Sequence, residues 1–176
     1  MPPVELTPGR RDEVVRSGDL EVLGRMAWSS NATLLVNAAL DGVEVRAIYK
    51  PVQGERPLWD FPDGTLANRE LSAWVVSEAL GWGIVPPVVE REGPRGIGSM
   101  QLFIAHDPDE HYFAVRGQER LHPQYVGLAA FDLLTNNADR KGGHLLLDPA
   151  GRIWGIDNGL CFHAQRKLRT VVWDFA

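Results

Sequence analysis

Apolar and polar positions alternate along this chain in two different periods. Over residues 12–24, Val14, Val15, Leu20, Val22 and Leu23 recur at a spacing that predicts a short helix, interrupted by Ser17-Gly18. Residues 32–37 form an apolar, partly β-branched run and residues 43–50 a second run with mixed alternation, and Asp41-Gly42 lies between them as a hairpin turn. Residues 51–64 hold three prolines and two glycines, which predicts a loop. Thr65 is placed to cap a helix running to about Leu80, with Leu71, Trp74, Val75 and Ala79 near helical spacing and Gly81 and Gly83 ending it. Residues 85–89 contain Pro86 and Pro87, so they predict an edge strand, because proline cannot donate to a central ladder. A turn over 92–96 and a strand over 98–104 follow.

The second half reads differently. Residues 106–123 are polar, rich in His and Asp, and predict a connector. A helix is expected over 123–135 from Val126, Leu128, Ala129, Phe131, Leu133 and Leu134. A loop covers 136–143. Residues 144–147 and 152–156 then predict a hairpin around Asp148-Pro149-Ala150-Gly151, a turn with Asp first, Pro second and Gly fourth. Strands, helix, strands, helix, loop and hairpin make an α+β layout with a cleft between its halves.

Composition narrows the classes. The 176 residues are 44% hydrophobic, enough for one domain or two small lobes and too apolar for a disordered chain. The formal charge of −5 gives no global basic character, so nucleic acid is not an expected partner. The single cysteine, Cys161, excludes an internal disulfide framework and a multi-cysteine zinc site, and it is expected to pack as a small apolar group. The first fifteen residues lack an apolar signal core, and no apolar run approaches the roughly 20 residues that span a bilayer. The expected location is cytoplasmic, with no transmembrane segment and with peripheral membrane contact left open. His106, His111 and His122 have no metal-ligand spacing. Trp59, Trp74, Trp82, Trp154 and Trp173 are expected as core anchors.

Candidate chemistry falls in an order that suits phosphoryl transfer, which needs a positioned nucleophile, metal ions on the phosphates and a lysine to hold them. Lys50 ends a strand. Glu70, with Glu78 as a rival, lies in the next helix and can pair with it. Asp139 lies in the loop after the second helix. Asp157 follows the second hairpin strand, 18 residues on, and the hairpin doubles back to bring the two carboxylates to one end of a small sheet. One can accept a proton from a hydroxyl while the other holds Mg²⁺. Read alone, Asp139 beside Asn136 and Asn137 is a turn former, and Lys50 an exposed strand end.

The segment FDLLTNNADRKGGHLLLDPAGRIWGIDNGLCFH resembles the catalytic core of the phosphatidylinositol 3- and 4-kinases, above all the type II 4-kinases, through Asn137-Ala138-Asp139-Arg140 and Ile156-Asp157-Asn158-Gly159-Leu160. It also resembles small actinobacterial kinase-like proteins. The resemblance implies a compact two-lobed, protein-kinase-like fold. Residues 1–105 would be an antiparallel-sheet lobe that binds nucleotide, and 106–176 a reduced catalytic lobe. It implies Asp139 as catalytic aspartate, with Arg140 beside it, and Asp157 as metal aspartate. Lys50 would hold nucleotide and pair with Glu70. Ser29, Ser30 and Asn31 would cover the phosphates. Gln101, Leu102 and Phe103 would approach the adenine. Its implied ligands are ATP, Mg²⁺ or Mn²⁺, and an unidentified hydroxyl-bearing acceptor, which is a lipid, a protein or a small molecule. Two features depart from the family. The second metal position, five residues after Asp139, is His144 in place of Asn, and the sequence stops at Ala176, short of further helices. A nucleotide-binding pseudokinase acting as an interaction module, or an AMP transferase on the same scaffold, are the alternatives.

Overall fold

The computed structural model describes residues 7–26 and 32–175. Helix α1 (Pro8–Ser17) begins at Thr7, whose side chain accepts the Arg10 N–H, and ends at Gly18. The helix expected over 12–24 is therefore half strand. Gly18 is the reason: its N–H bonds the Val14 carbonyl at 2.8 Å, and a Cβ there would lie 2.7 Å from that oxygen and 2.9 Å from the Ala39 oxygen. Only glycine lets the chain leave the helix so close to its neighbours. Strand β1 (Asp19–Arg25) then pairs antiparallel with β2 (Leu34–Leu40), with a bulge between Val22 and Gly24.

Strand β3 (Val43–Pro51) returns through Asp41 and Gly42, both at positive φ, the geometry that matches a two-residue turn to strand twist. Strands β4 (Val88–Gly93) and β5 (Gly96–Leu102) complete an antiparallel five-stranded sheet of order β1-β2-β3-β5-β4. The strand expected over 85–89 is at the edge but starts at Val88, so Pro86 and Pro87 precede the ladder and donate nothing to it. Successive side chains point to opposite faces. On one face Val36, Ala38, Val45, Ala47, Tyr49 and Met100 pack with Val14 and Val15 of α1. Both valines are fully buried and contribute about 1.5–3 kcal/mol each. The opposite face presents Ile48 and Lys50 of β3 and Ser99 and Gln101 of β5.

Helix α2 (Leu66–Ala79) packs against β4 and β5. Thr65 makes no side-chain cap; its hydroxyl donates to the Pro62 carbonyl at 2.8 Å. The Glu55 carboxylate, eleven and twelve residues upstream, accepts the Leu66 and Ala67 N–H groups at 3.2 and 2.9 Å instead. An acid reaching from the proline-rich loop thus meets the positive end of the helix.

The second apolar cluster gathers around α4 (His122–Thr135). Tyr125, Leu128 and Phe131 of that helix pack with Ala73 of α2, with Tyr112 and Val115 of the short helix α3 (Tyr112–Val115), and with Leu145, Leu147 and Ile153 of the hairpin β6 (Leu145–Leu147) and β7 (Ile153–Gly155). Residues 106–123 therefore do more than connect, since Tyr112, Val115 and Leu121 are core. His144 lies in a 3₁₀ turn (Gly142–His144) just before β6, not in the strand. Of the expected tryptophan anchors, Trp74 packs against this core, and Trp59, Trp82 and Trp173 do not. Trp59 is 93% exposed, and Trp82 and Trp173 are also exposed; tyrosines and Phe131 fill the interior. Trp59 sits beneath the Lys167 ammonium at 4.7 Å, and Trp154 beneath the Arg152 guanidinium at 3.8 Å, where an aromatic face serves a cation. Among the described residues no helix is long and apolar enough to cross a membrane.

The capping assignment is testable by urea denaturation. Glu55→Ala should cost about 1 kcal/mol, the usual loss for a helix cap. Thr65→Ala should cost less. Equal losses, or the reverse order, would return the cap to Thr65.

Candidate functional site

A cleft of 840 Å³ lies between the open face of the sheet and the segment formed by loop 136–144 and the hairpin. Period-2 alternation in β3 and β5 puts Lys50 and Gln101 on its sheet wall, α2 supplies Glu70, and the last residue of β5 and the one after it supply Leu102 and Phe103. Asp139, His144 and Asp157 line the opposite wall. Eight of the expected site residues therefore meet in one cavity. Ser29, Ser30 and Asn31 lie outside the described residues. Arg140 does not line the cleft.

Lys50 joins the two walls. Its ammonium contacts Glu70 Oε1 directly and Asp157 Oδ1 at 2.9 Å. Glu70, rather than the exposed Glu78, is the helix partner, and its second oxygen accepts the Asn158 N–H at 2.9 Å. Burial works to lower the Lys50 pKa, but the Asp157 and Glu70 carboxylates outweigh it and hold the ammonium well above its ordinary value. The same attraction keeps Asp157 well below the usual carboxylate range: Lys50 is the main cause, burial opposes it, and His144 and Arg140 add to the lowering. Asp157 adopts φ +59, unusual for a residue other than glycine, and its side chain remains 52% open to the cleft.

His144 reaches Asp157 from the hairpin side. Its Nε2 is 3.2 Å from Asp157 Oδ2, and its Nδ1 accepts the Lys141 N–H at 3.3 Å. Burial lowers the imidazole pKa and so favours the neutral ring, and the Asp157 carboxylate partly offsets this. With Nδ1 accepting, the proton sits on Nε2 and is shared with Asp157.

Asp139 is held from its flanks. Its N–H bonds Asn137 Oδ1 at 3.0 Å, and its carboxylate pairs with Lys141 at 2.6 Å and with Arg169. Burial would raise its pKa, but these two cations win and lower it. The segment carrying Arg169 is stitched to the loop by backbone bonds: Arg169 donates to Asn137, Arg140 to Arg169, and Val171 to Arg140.

The sequence expectation for Arg140 is corrected. Its side chain is wholly buried and bonded to Asp132 at 2.9 Å, also fully buried, to the Ile156 carbonyl at 2.6 Å and to Asn158 Oδ1 at 2.6 Å. A guanidinium so occupied cannot reach a ligand; it positions the residues on either side of Asp157. Asp132 also accepts from Asn137 Nδ2 at 3.0 Å and Thr170 Oγ1 at 2.7 Å. Sequence reasoning missed Asp132, Thr170 and the Arg169 contact. Asp132 carries a signal, an acid four residues after Leu128 inside the apolar stripe of α4. Arg169 carries none, being 30 residues from its partner.

No group of three or more His, Cys, Asp and Glu side chains able to hold a metal is present among the described residues. Asp157 Oδ2 and His144 Nε2 stand 3.2 Å apart as a pair, with no third such side chain beside them among those residues. The chain is 45% identical to protein Rv2133c of Mycobacterium tuberculosis, in a match that covers 95% of this chain and 73% of the relative. No family model matches the chain.

Removing one member of a buried ion pair strands the other. Arg140→Met should therefore destabilise the fold by about 3–5 kcal/mol in urea denaturation. Asp132→Leu/Arg140→Met together should cost less than Arg140→Met alone. A double variant that is the less stable of the two would contradict this account of the pair.

Proposed function

The chain belongs to the family of protein Rv2133c, and within it we propose an ATP-dependent phosphotransferase that moves the γ-phosphoryl group to a hydroxyl-bearing acceptor. One observation carries the reading: Lys50, Glu70, Asp139 and Asp157 converge in a single cleft whose remaining walls are largely apolar. On this reading a flat base would take the apolar part of the lining and the phosphates the charged part. In this reading the sheet and α2 form a nucleotide-holding lobe, roughly residues 1–105. The α4 helix, loop and hairpin form a reduced catalytic lobe over 106–176, in a kinase-like arrangement resembling the phosphatidylinositol kinases. The protein would work in the cytoplasm, with no commitment among lipid, protein and small-molecule acceptors.

The residues then divide the work. Lys50, kept fully charged by its two carboxylates, meets the phosphates, and Glu70 orients it. Asp157 and His144 are the residues that would hold Mg²⁺ or Mn²⁺, and the ion would supply neutralisation of phosphate charge. For His144 to serve, its proton must leave Nε2 for Nδ1, at the expense of the bond from Lys141. Asp139, ionised and fixed by Asn137, accepts the acceptor's hydroxyl proton. The acceptor oxygen bonds to γ-phosphorus as the bond to the β–γ bridging oxygen breaks, and ADP leaves.

A nucleotide-binding module without turnover is the second reading. The pairing of Asp139 with both Lys141 and Arg169 favours it, because a carboxylate neutralised twice is a poor base.

Calorimetry with MgATP and MnATP, followed by product identification, tests both. Wild type should bind metal-ATP, and Asp157→Asn should lose that affinity by tenfold or more, about 1.4 kcal/mol per decade. His144→Asn should shift preference from Mn²⁺ toward Mg²⁺, since an amide oxygen is a harder donor than imidazole. ADP as product supports phosphoryl transfer, AMP supports AMP transfer, and binding without turnover supports the module. Unchanged affinity in Asp157→Asn would refute the metal assignment.

A further inference from the structure

Helix α4 has two apolar faces, and among the described residues one of them is left uncovered. Tyr125, Leu128 and Phe131 face the core. On the other side Val126, Leu133 and Leu134 are each more than half exposed, and Pro123 and Ala130 are exposed among them. The helix holds no Lys or Arg, and its one acid, Asp132, is turned inward to Arg140. A surface helix normally carries charged and polar residues on its outer face, and a helix apolar all round belongs to a buried position. The uncovered surface extends past the helix. A Cβ at Gly127 would lie 4.0 Å from Ile84, so the segment leading to Ile84 runs beside the stripe, and it carries Leu80 and Trp82, both exposed.

The pattern of the stripe selects its occupant. Val126, Ala130 and Leu134 form one row at spacing i, i+4 and i+8. Rows of this kind interdigitate when two helices cross at about −50°, and small side chains at the contact let the axes come closest. Ala130 is the smallest residue of the row and stands at its centre. When two copies of α4 cross antiparallel at this point, Ala130 meets its own copy and Val126 of each meets Leu134 of the other. The row is thus its own complement, which is what a two-fold interface requires. Charge favours the same contact. The chain carries a formal −5, so two copies approach with least repulsion where a surface holds no charge. Area sets the strength. The stripe and its flank are on the order of the 300–600 Å² that marks functional patches on single chains. That is short of the about 800 Å² per partner of a standard stable complex, so the association is weak and reversible.

We propose that a second copy of this chain covers the outer face of α4, in a weak two-fold dimer whose helices cross at Ala130. The dimer stands independently of the phosphotransfer reading. It would bury the outer face of the helix whose inner face carries Asp132, so the melting temperature should rise with protein concentration.

Sedimentation equilibrium from about 1 μM to about 1 mM covers the affinities that a contact of this size supports. Wild type should pass from monomer to dimer over this span. Ala130→Glu and Ala130→Lys should each weaken association by about tenfold or more, because like charges would meet at the two-fold axis. An equimolar mixture of the two variants should associate again, with Glu against Lys. Position 130 is exposed, and thermal melting of dilute samples checks that both variants fold. A wild type that stays monomeric throughout would overturn the proposal and leave the face to a different partner. Undiminished association of both variants would place the contact elsewhere on the molecule. A mixture as monomeric as its separate components would refute the crossing at Ala130.

Discussion

The fully buried pair of Arg140 and Asp132 is the constraint on which the rest of the site depends. Two opposite charges removed from water must satisfy each other and every remaining hydrogen-bonding position. Arg140 spends its donors on Asp132, the Ile156 carbonyl and Asn158. Asp132 accepts from Asn137 and Thr170 as well. One pair therefore sets the distance between helix α4, the loop before Asp139, the residues flanking Asp157 and the chain near Thr170. Asp139 directly precedes Arg140, and Asp157 lies between Ile156 and Asn158, both bonded to Arg140. Their backbone is held while their carboxylates stay at the cleft.

The cleft's electrostatics follow from what that knot leaves facing outward. Lys50 crosses from the sheet to Asp157 and is held from behind by Glu70, which is itself pinned by the Asn158 N–H. Asp139 is met by Lys141 and Arg169. Each of these charges is neutralised within the protein. On the proposed function, a polyphosphate with its cation would exchange into the first of these sets: phosphate oxygens for Asp157 on Lys50, and a cation for the ammonium on Asp157, with Glu70 kept on Lys50. The favourable charge balance is kept throughout, and no charge has to be buried unpaired.

Much of this was legible in the sequence because it is written locally. The Asp41-Gly42 turn, the Asp148–Gly151 turn and the apolar period of 123–135 name their own elements. Alternation in β3 and β5 carries Lys50 and Gln101 to one face. What escaped depends on contacts distant along the chain. Asp19–Arg25 looks helical until Gly18, pressed against Val14 and Ala39, ends the helix and β2 offers a ladder. Thr65 looks like a cap until Glu55 arrives from the preceding loop. Arg140, next to Asp139, looks like a site residue, and only the fold shows its guanidinium turned inward to Asp132. Trp59 has the composition of a core residue but lies in a proline-rich loop with no second face to bury.

The central claim is that the cleft is a metal-nucleotide site with its phosphate end at Lys50 and Asp157. A crystal structure of the protein with a non-hydrolysable ATP analogue and Mn²⁺ tests it most directly. The account predicts phosphate oxygens on Lys50 in place of Asp157, Lys50 still paired with Glu70, and the cation bridging Asp157 to the phosphates. An analogue bound outside the cleft, or one whose phosphates lie away from Lys50 with the Lys50–Asp157 pair intact, would contradict it.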